Sequence, residues 1–210
     1  MADDRAHVTL YYAAPSRAFG TLVLLEELGA PYELEVLYLA AEEQRRADYL
    51  AINPVGKVPA IVHDGAVVTE QVAIAIYLCD VFPKNGLAPS IGNSKRGPYL
   101  RWLVYYAAAM EPACVDKALG REPGRRGMMP YGDYDTTLST VVRQLEKGPY
   151  ILGDTFSGAD VIWGVALDWL TRFGLVPHGP QIDAYVARVL ERPAVARARA
   201  IDAGLQQPKT

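Results

Sequence analysis

Cysteine is scarce. The chain has two, Cys79 and Cys114, far apart in sequence, too few for a disulfide framework or a four-ligand zinc site. Each lies in an apolar, helix-like context, where a free thiol behaves as a small buried hydrophobe. The three histidines, His7, His63 and His178, are scattered and lack metal-ligand spacing, so no metal is expected. An excess of basic charge is also missing: 21 Lys and Arg stand against 24 Asp and Glu, for a net charge of -3. That balance argues against nucleic acid or an anionic membrane as the main partner. No apolar run approaches the ~18 residues of a membrane span. The first ten residues carry Asp3 and Asp4 and no apolar signal core, so export is not expected. There is no glycine-rich phosphate loop of either common kind, no nucleotide or flavin motif, no internal repeat and no low-complexity segment. The compartment implied is reducing, and the cytosol is expected.

What is present is ordinary globular composition, 50% hydrophobic and 21% charged over 210 residues, enough for one large domain or two modest ones. The first 82 residues alternate strand and helix signals. Residues 7–12 are β-branched and aromatic and predict a strand; Pro15 breaks it, and Ser16 offers an N-cap to a helix ending at Gly29. Phe19, Leu22, Val23, Leu25 and Leu28 give that helix an apolar face. Residues 32–39 predict a second strand and 42–51 a short charged helix. Residues 58–63 and 66–69 flank Asp64-Gly65, the strongest short hairpin signal in the chain, and 70–81 follow as a helix. The order is β-α-β-α-β-β-α, a parallel crossover with an antiparallel edge. Residues 83–93, with Pro83, Gly86, Pro89 and Gly92, read as a linker. Residues 94–210 read as an all-α bundle, with helices over about 94–119, 131–147, 159–173, 181–190 and 193–203 and a glycine- and proline-rich loop at 120–130.

Two stretches carry candidate chemistry. In Asn53-Pro54-Val55-Gly56-Lys57-Val58-Pro59-Ala60 a proline interrupts strand-forming residues and removes a ladder donor. A cis bond before Pro59 would turn Val58 outwards to pair with an extended peptide; a trans edge-strand proline with no ligand is the alternative, and the sequence leaves both open. Ten residues on, Thr69-Glu70-Gln71 opens a helix directly after a strand. Helix N-termini hold carboxylates through free amides and the positive dipole end, and Glu70 could receive an ammonium group. Taken alone, such a start is also a plain cap.

Together these stretches resemble the cytosolic glutathione transferases, and the resemblance covers nearly the whole chain. Asn53-Pro54 through Val58-Pro59-Ala60 is similar to the family's cis-proline loop, and Thr69-Glu70-Gln71-Val72-Ala73-Ile74 to its Glu-Ser-x-Ala-Ile helix start. Leu24-Leu25-Glu26-Glu27-Leu28-Gly29 resembles the end of the first helix in many bacterial members, and Phe156-Ser157-Gly158-Ala159-Asp160 the Ser-x-x-Asp capping box of the second domain. The resemblance implies a thioredoxin-like α/β domain at 1–82, a linker at 83–93 and an all-helical domain at 94–210. It implies glutathione as co-substrate: Val58, before Pro59, on the cysteinyl backbone, Glu70 on the γ-glutamyl ammonium, and Lys57 and Gln44 on the glycine carboxylate. Arg45 and Arg46 are adjacent, though a solvated helix face explains them as well. The family's usual serine after the glutamate is Gln71 here, which keeps a backbone amide for the γ-glutamyl carboxylate but loses the hydroxyl.

The family lowers the thiol pKa with a hydroxyl or a helix N-terminus. The position matching the beta-class cysteine is Arg17, and the theta-class serine falls near Ala13, so neither group is available. Ser16 ranks first as the activating hydroxyl and Tyr12, at the strand end, second; Arg17 could add positive charge. The second substrate, a small hydrophobic electrophile, is expected between the domains against the long helix after the linker, with Tyr106 and Met110 as candidate lining, although such a stripe is more often core. The leading expectation is a transferase, with glutathione-dependent peroxidase or isomerase chemistry and a non-catalytic scaffold as alternatives. By resemblance the protein is expected to be a homodimer.

Overall fold

The computed structural model describes residues 7–121 and 124–205. The expectation about the first residues and part of the 120–130 loop therefore lie outside the described residues. The chain folds into two compact units, one from the N-terminus to Asn85 together with the residues from Arg192 onward, the other Gly86–Glu191.

The first unit is built on β1 (Val8–Tyr12), α1 (Ala18–Leu28), β2 (Tyr32–Val36), α2 (Ala47–Ile52), β3 (Ala60–His63), β4 (Ala66–Thr69) and α3 (Gln71–Val81). The sheet order is β2-β1-β3-β4, with β1 parallel to β2 and β3 antiparallel to both β1 and β4. Alternation along β1 buries Val8, Leu10 and Tyr12 on one face and leaves Thr9 and Tyr11 half-buried on the other. Asp64 and Gly65 both have positive φ, 50° and 75°, the signature of the tight hairpin turn expected of this pair. The charged segment after β2 is more broken than one helix. Single 3₁₀ turns at Leu39–Ala41 and Glu43–Arg45 precede α2, because Glu42 adopts a left-handed conformation and Arg46 an extended one.

The last helix, α9 (Pro193–Leu205), belongs to this first unit rather than to the helical bundle that 94–210 was expected to form. It is fastened to α1 and β1 by polar bonds. Arg192 pairs with Glu27 and Arg197 with Glu26, and the Tyr12 hydroxyl donates to Asp202. The α1 helix is consequently buried on several sides, with Leu22, Val23, Leu24 and Leu25 fully enclosed.

The second unit contains α4 (Arg96–Tyr105), α5 (Glu111–Ala118), α6 (Tyr134–Leu145), α7 (Gly158–Arg172) and α8 (Pro180–Leu190). The long helix expected over 94–119 is interrupted by a π-helical turn, Tyr106–Met110, in which the Glu111 amide donates five residues back to the Tyr106 carbonyl. Pro112 accounts for the wider turn: it has no amide to give four residues back, and its ring would press on that carbonyl. The start of α7 carries the expected capping box. Asp160, fully buried, accepts from the Ser157 amide and hydroxyl, the Ile151 amide at 2.7 Å and the Tyr185 hydroxyl at 2.9 Å. Four donors satisfy both carboxylate oxygens, which is what makes a charge tolerable at that depth. Gly164 lets α7 and α8 approach closely, since a Cβ there would lie 2.5 Å from Val189.

Candidate active site

The 53–59 loop is shaped from beneath by three side chains. Asn53, buried, donates through Nδ2 to the Lys57 carbonyl at 2.8 Å and accepts the Val55 amide at 3.2 Å. The Tyr49 hydroxyl also donates to the Lys57 carbonyl, and burial pushes that phenol up to about 12, so it stays a donor at neutral pH. Arg45 reaches the Val55 carbonyl at 3.3 Å. At the crest Gly56 has φ of 66°, and an added Cβ would meet Arg45 Nη1 at 2.7 Å and the Gln44 carbonyl at 2.9 Å. Only glycine satisfies both the conformation and the space. The Val58–Pro59 bond is cis. The β1–β3 pairing begins at Ala60 opposite Tyr11, so Val58 stands just outside the ladder. Val58, half-buried, lies beyond the end of that pairing, where an extended ligand can add to its backbone.

The second component is the start of α3. Glu70, exposed, caps the helix with φ 65° and ψ 113°, a conformation that costs a non-glycine residue about 1–3 kcal/mol and persists only where the surroundings enforce it. Its carbonyl accepts the Ile74 amide at 2.9 Å. Among the described residues no cation engages the Glu70 carboxylate and no anion engages the exposed Lys57 ammonium. The loop and the helix start thus offer one open charge of each sign. The Gln71 side chain turns toward α1 and donates through Nε2 to the Arg17 carbonyl at 2.8 Å. That bond brings the first turns of α1 and α3 side by side.

The third component is residues 13–17, which contain a second cis bond, Ala14–Pro15, that nothing in the sequence marked. Ser16 does not cap α1 from outside as simply as expected; Arg17 precedes the first helical residue. The Ser16 hydroxyl donates to the Ala13 carbonyl at 2.6 Å and accepts the Ala18 amide at 3.1 Å. Its single proton is engaged, so donation to a sulfur atom requires exchanging the Ala13 carbonyl for the new acceptor. Tyr12 is placed differently from its role as second candidate. It is fully buried, its hydroxyl is committed to Asp202, and burial, then that bond, raise its pKa far above the usual value. The phenol belongs to the seam with α9, because the pleat of β1 turns it to the face opposite Tyr11, whose ring packs on Tyr49 with centroids 5.2 Å apart.

The remaining candidates divide by burial. Gln44 is half-buried, with its side-chain oxygen enclosed and without a hydrogen-bond partner, so its amide is turned inward. Tyr106 and Met110, 4% and 0% exposed, are interior to the second unit, while Ala107 and Ala108 carry the exposed face of that helix. Tyr106 packs edge-on against Trp163 at 5.6 Å. Cys114 is buried, and burial pushes its thiol up to about 11, which keeps it protonated at neutral pH. No group of three or more potential metal ligands occurs among the described residues. No helix among them is long and apolar enough to cross a membrane. The Gln71–Arg17 and Tyr12–Asp202 bonds had no sequence signal, since they join residues 54 and 190 positions apart.

A mixed four-stranded sheet flanked by helices, followed by a helical unit, defines a thioredoxin-like domain joined to an all-α domain. Comparison with known proteins makes this specific. Residues 6–80 match the family model for the glutathione S-transferase N-terminal domain, and 131–191 that for the C-terminal domain. The chain is 28% identical over 189 residues to glutathione S-transferase GstA of Escherichia coli O157:H7, covering 89% of this chain and 94% of that one. The crystal structure of a glutathione transferase from Methylococcus capsulatus superposes with a TM-score of 0.79 at 31% identity, over 93% of this chain and 98% of the other. A sphingomonad glutathione S-transferase complexed with glutathione gives 0.77 at 28%, over the same shares. The protein belongs to the glutathione S-transferase family.

Proposed function

We propose that the first unit binds reduced glutathione and that the enzyme transfers its thiolate to a small hydrophobic electrophile. One observation carries this reading: among the described residues Val58 stands free at the end of the β3 ladder, while Lys57 and Glu70 present unengaged charges of opposite sign on the same unit. Glutathione is an extended peptide with carboxylates at both ends and an ammonium at one, and that combination suits such a surface. Val58 pairs with the cysteinyl backbone, Glu70 receives the γ-glutamyl ammonium, and Lys57 meets the glycine carboxylate, with charge-assisted bonds at both ends. The Gln71 backbone amide, at the α3 N-terminus, faces the γ-glutamyl carboxylate. Gln44 contributes to the glycine end only if its amide turns outward. The sulfur then lies toward α1, where the helix N-terminus and the Ser16 hydroxyl favour the anion, the hydroxyl by leaving the Ala13 carbonyl. The enzyme works in the cytoplasm as a homodimer, a state for which the exposed Val55 and Val67 provide apolar surface on the first unit.

Calorimetric titration with reduced glutathione, beside Glu70→Ala, tests the reading. Binding in the wild type that weakens at least ten-fold in the variant is the expected result. Absence of binding at millimolar glutathione would assign the fold to a scaffold role instead.

A further inference from the structure

We propose that Gln71 is a positioning residue for the thiol step, holding the first turn of α1 in register with the first turn of α3 through its bond to the Arg17 carbonyl. The inference rests on the glutathione reading of this site and adds a device to it. The Arg17 carbonyl has two lone pairs. One accepts the Gly20 amide at 3.2 Å, closing the first turn of α1, and the other accepts Gln71 Nε2 at 2.8 Å. Both acceptor positions of the carbonyl that opens the helix are therefore filled, one from inside the turn and one from a residue 54 positions later.

The rest of the turn closes on itself. Ser16 Oγ bridges the Ala13 carbonyl and the Ala18 amide, and the Ser16 carbonyl accepts the Phe19 amide at 3.2 Å. These bonds fix the shape of residues 13–20 but not where the turn sits relative to α3. The Gln71 bond reaches across that gap. Its length is the reason a glutamine is needed: a serine hydroxyl at this position lies two bonds nearer the backbone and stops short of Arg17.

Glu70 is anchored within α3. That residue holds a positive φ of 65° with an ordinary side chain, a conformation that persists only where its surroundings enforce it. The Ile74 amide fixes its carbonyl from within α3, and Gln71, the next residue, is tied to α1. The Gln71 side chain thus ties the start of α3 to the α1 N-terminus, while Glu70 itself is held by the Ile74 amide. The stabilisation a helix N-terminus gives an anion fades within its first turn, so a small displacement changes the acidity of a thiol held there. Ligand anchored at α3 meets a dipole end at α1 that the Gln71 bond ties to α3.

Two variants separate donation from reach. Gln71→Met keeps the length and removes the donor; Gln71→Asn keeps the donor and loses a methylene. In both, the bound thiol, followed by ultraviolet thiolate absorbance against pH, should titrate about one unit higher, lowering the thiolate fraction and with it kcat by up to about ten-fold at pH below the wild-type titration. Affinity for S-methylglutathione, which keeps the γ-glutamyl end and lacks the thiol, should change by less than about three-fold. In the free protein, hydrogen exchange of the Ala18–Gly20 amides should accelerate in both variants. Unchanged exchange with an unchanged thiol titration overturns the proposal. Full activity in Gln71→Asn, or lost S-methylglutathione affinity with an unmoved titration, overturns it in favour of direct contact with the ligand. Wild-type protein that binds neither glutathione nor its S-methyl form, yet loses amide protection in the variants, would refute the glutathione reading and leave the tie without a thiol to serve.

Discussion

Tyr12→Phe removes one oxygen atom from the interior of the first unit and leaves the ring's shape unchanged. The hydroxyl it deletes donates to the Asp202 carboxylate on α9, so the substitution breaks a bond between the first strand and the last helix. A hydrogen bond to a charged acceptor contributes about 1.5–3 kcal/mol net. Asp202 is half-buried, and water can recover part of its hydration, which places the loss near the lower end, about 1.5 kcal/mol. For a chain of this size each kcal/mol moves the thermal midpoint by about 2–4 °C, so a fall of about 3–6 °C is expected. Conjugation kinetics with saturating glutathione should stay within about two-fold, because the phenol lies on the buried face of β1. An unchanged midpoint together with about a hundred-fold loss of turnover, near 2.7 kcal/mol of transition-state stabilisation, would refute this placement and make Tyr12 the thiol's partner after all.

Gly164→Ala should destabilise the second unit by about 1–3 kcal/mol in urea titration, since its Cβ would lie 2.5 Å from Val189; adding Val189→Ala should restore part of the loss. Gly56→Ala should weaken glutathione binding more than it lowers the thermal midpoint, because the crest of the 53–59 loop would have to move off Arg45 and the Gln44 carbonyl. Glu26 is pushed up by burial but pulled further down by its bonds from Tyr32 and Arg197, so its carboxyl sits below the usual value of 4.5. A lowered carboxyl adds stability above its ordinary pKa and loses it as pH falls through the folded value. The gap in thermal midpoint between wild type and Glu26→Gln should therefore be present at neutral pH and close in acid; a gap independent of pH would contradict the ion pair.

Features that depend on neighbours a few positions apart were legible in the sequence. Asp64-Gly65 announces its hairpin because few pairs accept two positive φ angles, and Ser157 with Asp160 announces a helix start because the box closes within four residues. Asn53, Val58 and Pro59 mark the loop before β3 for the same reason. Long-range partners were not legible. Nothing in Tyr12 or Ser16 reveals that one hydroxyl is held by Asp202 and the other by the Ala13 carbonyl, since packing makes those choices after the elements form. Helix α9 has the period of any amphipathic helix, and its home in the first unit follows from Glu26, Glu27 and Tyr12 reaching Arg197, Arg192 and Asp202. Pro112 did carry a local signal for the π-helical turn, set within a run otherwise helical enough to hide it.

The membership of α9 in the first unit also orders events during synthesis. Residues 86–191 are an insert in that unit, and at about 5–20 residues per second a ribosome takes roughly 5–20 s to make them. Throughout that interval Tyr12, Glu26 and Glu27 have left the ribosome while the helix that receives them has not. The glutathione-side unit is begun first and finished last. Its leucine-rich first helix must wait uncovered on one flank, as a client for chaperones, until the insert has emerged. A permuted gene that places α9 ahead of β1 would let the unit close before the insert is translated, and its yield in cells short of chaperones should exceed that of the natural order.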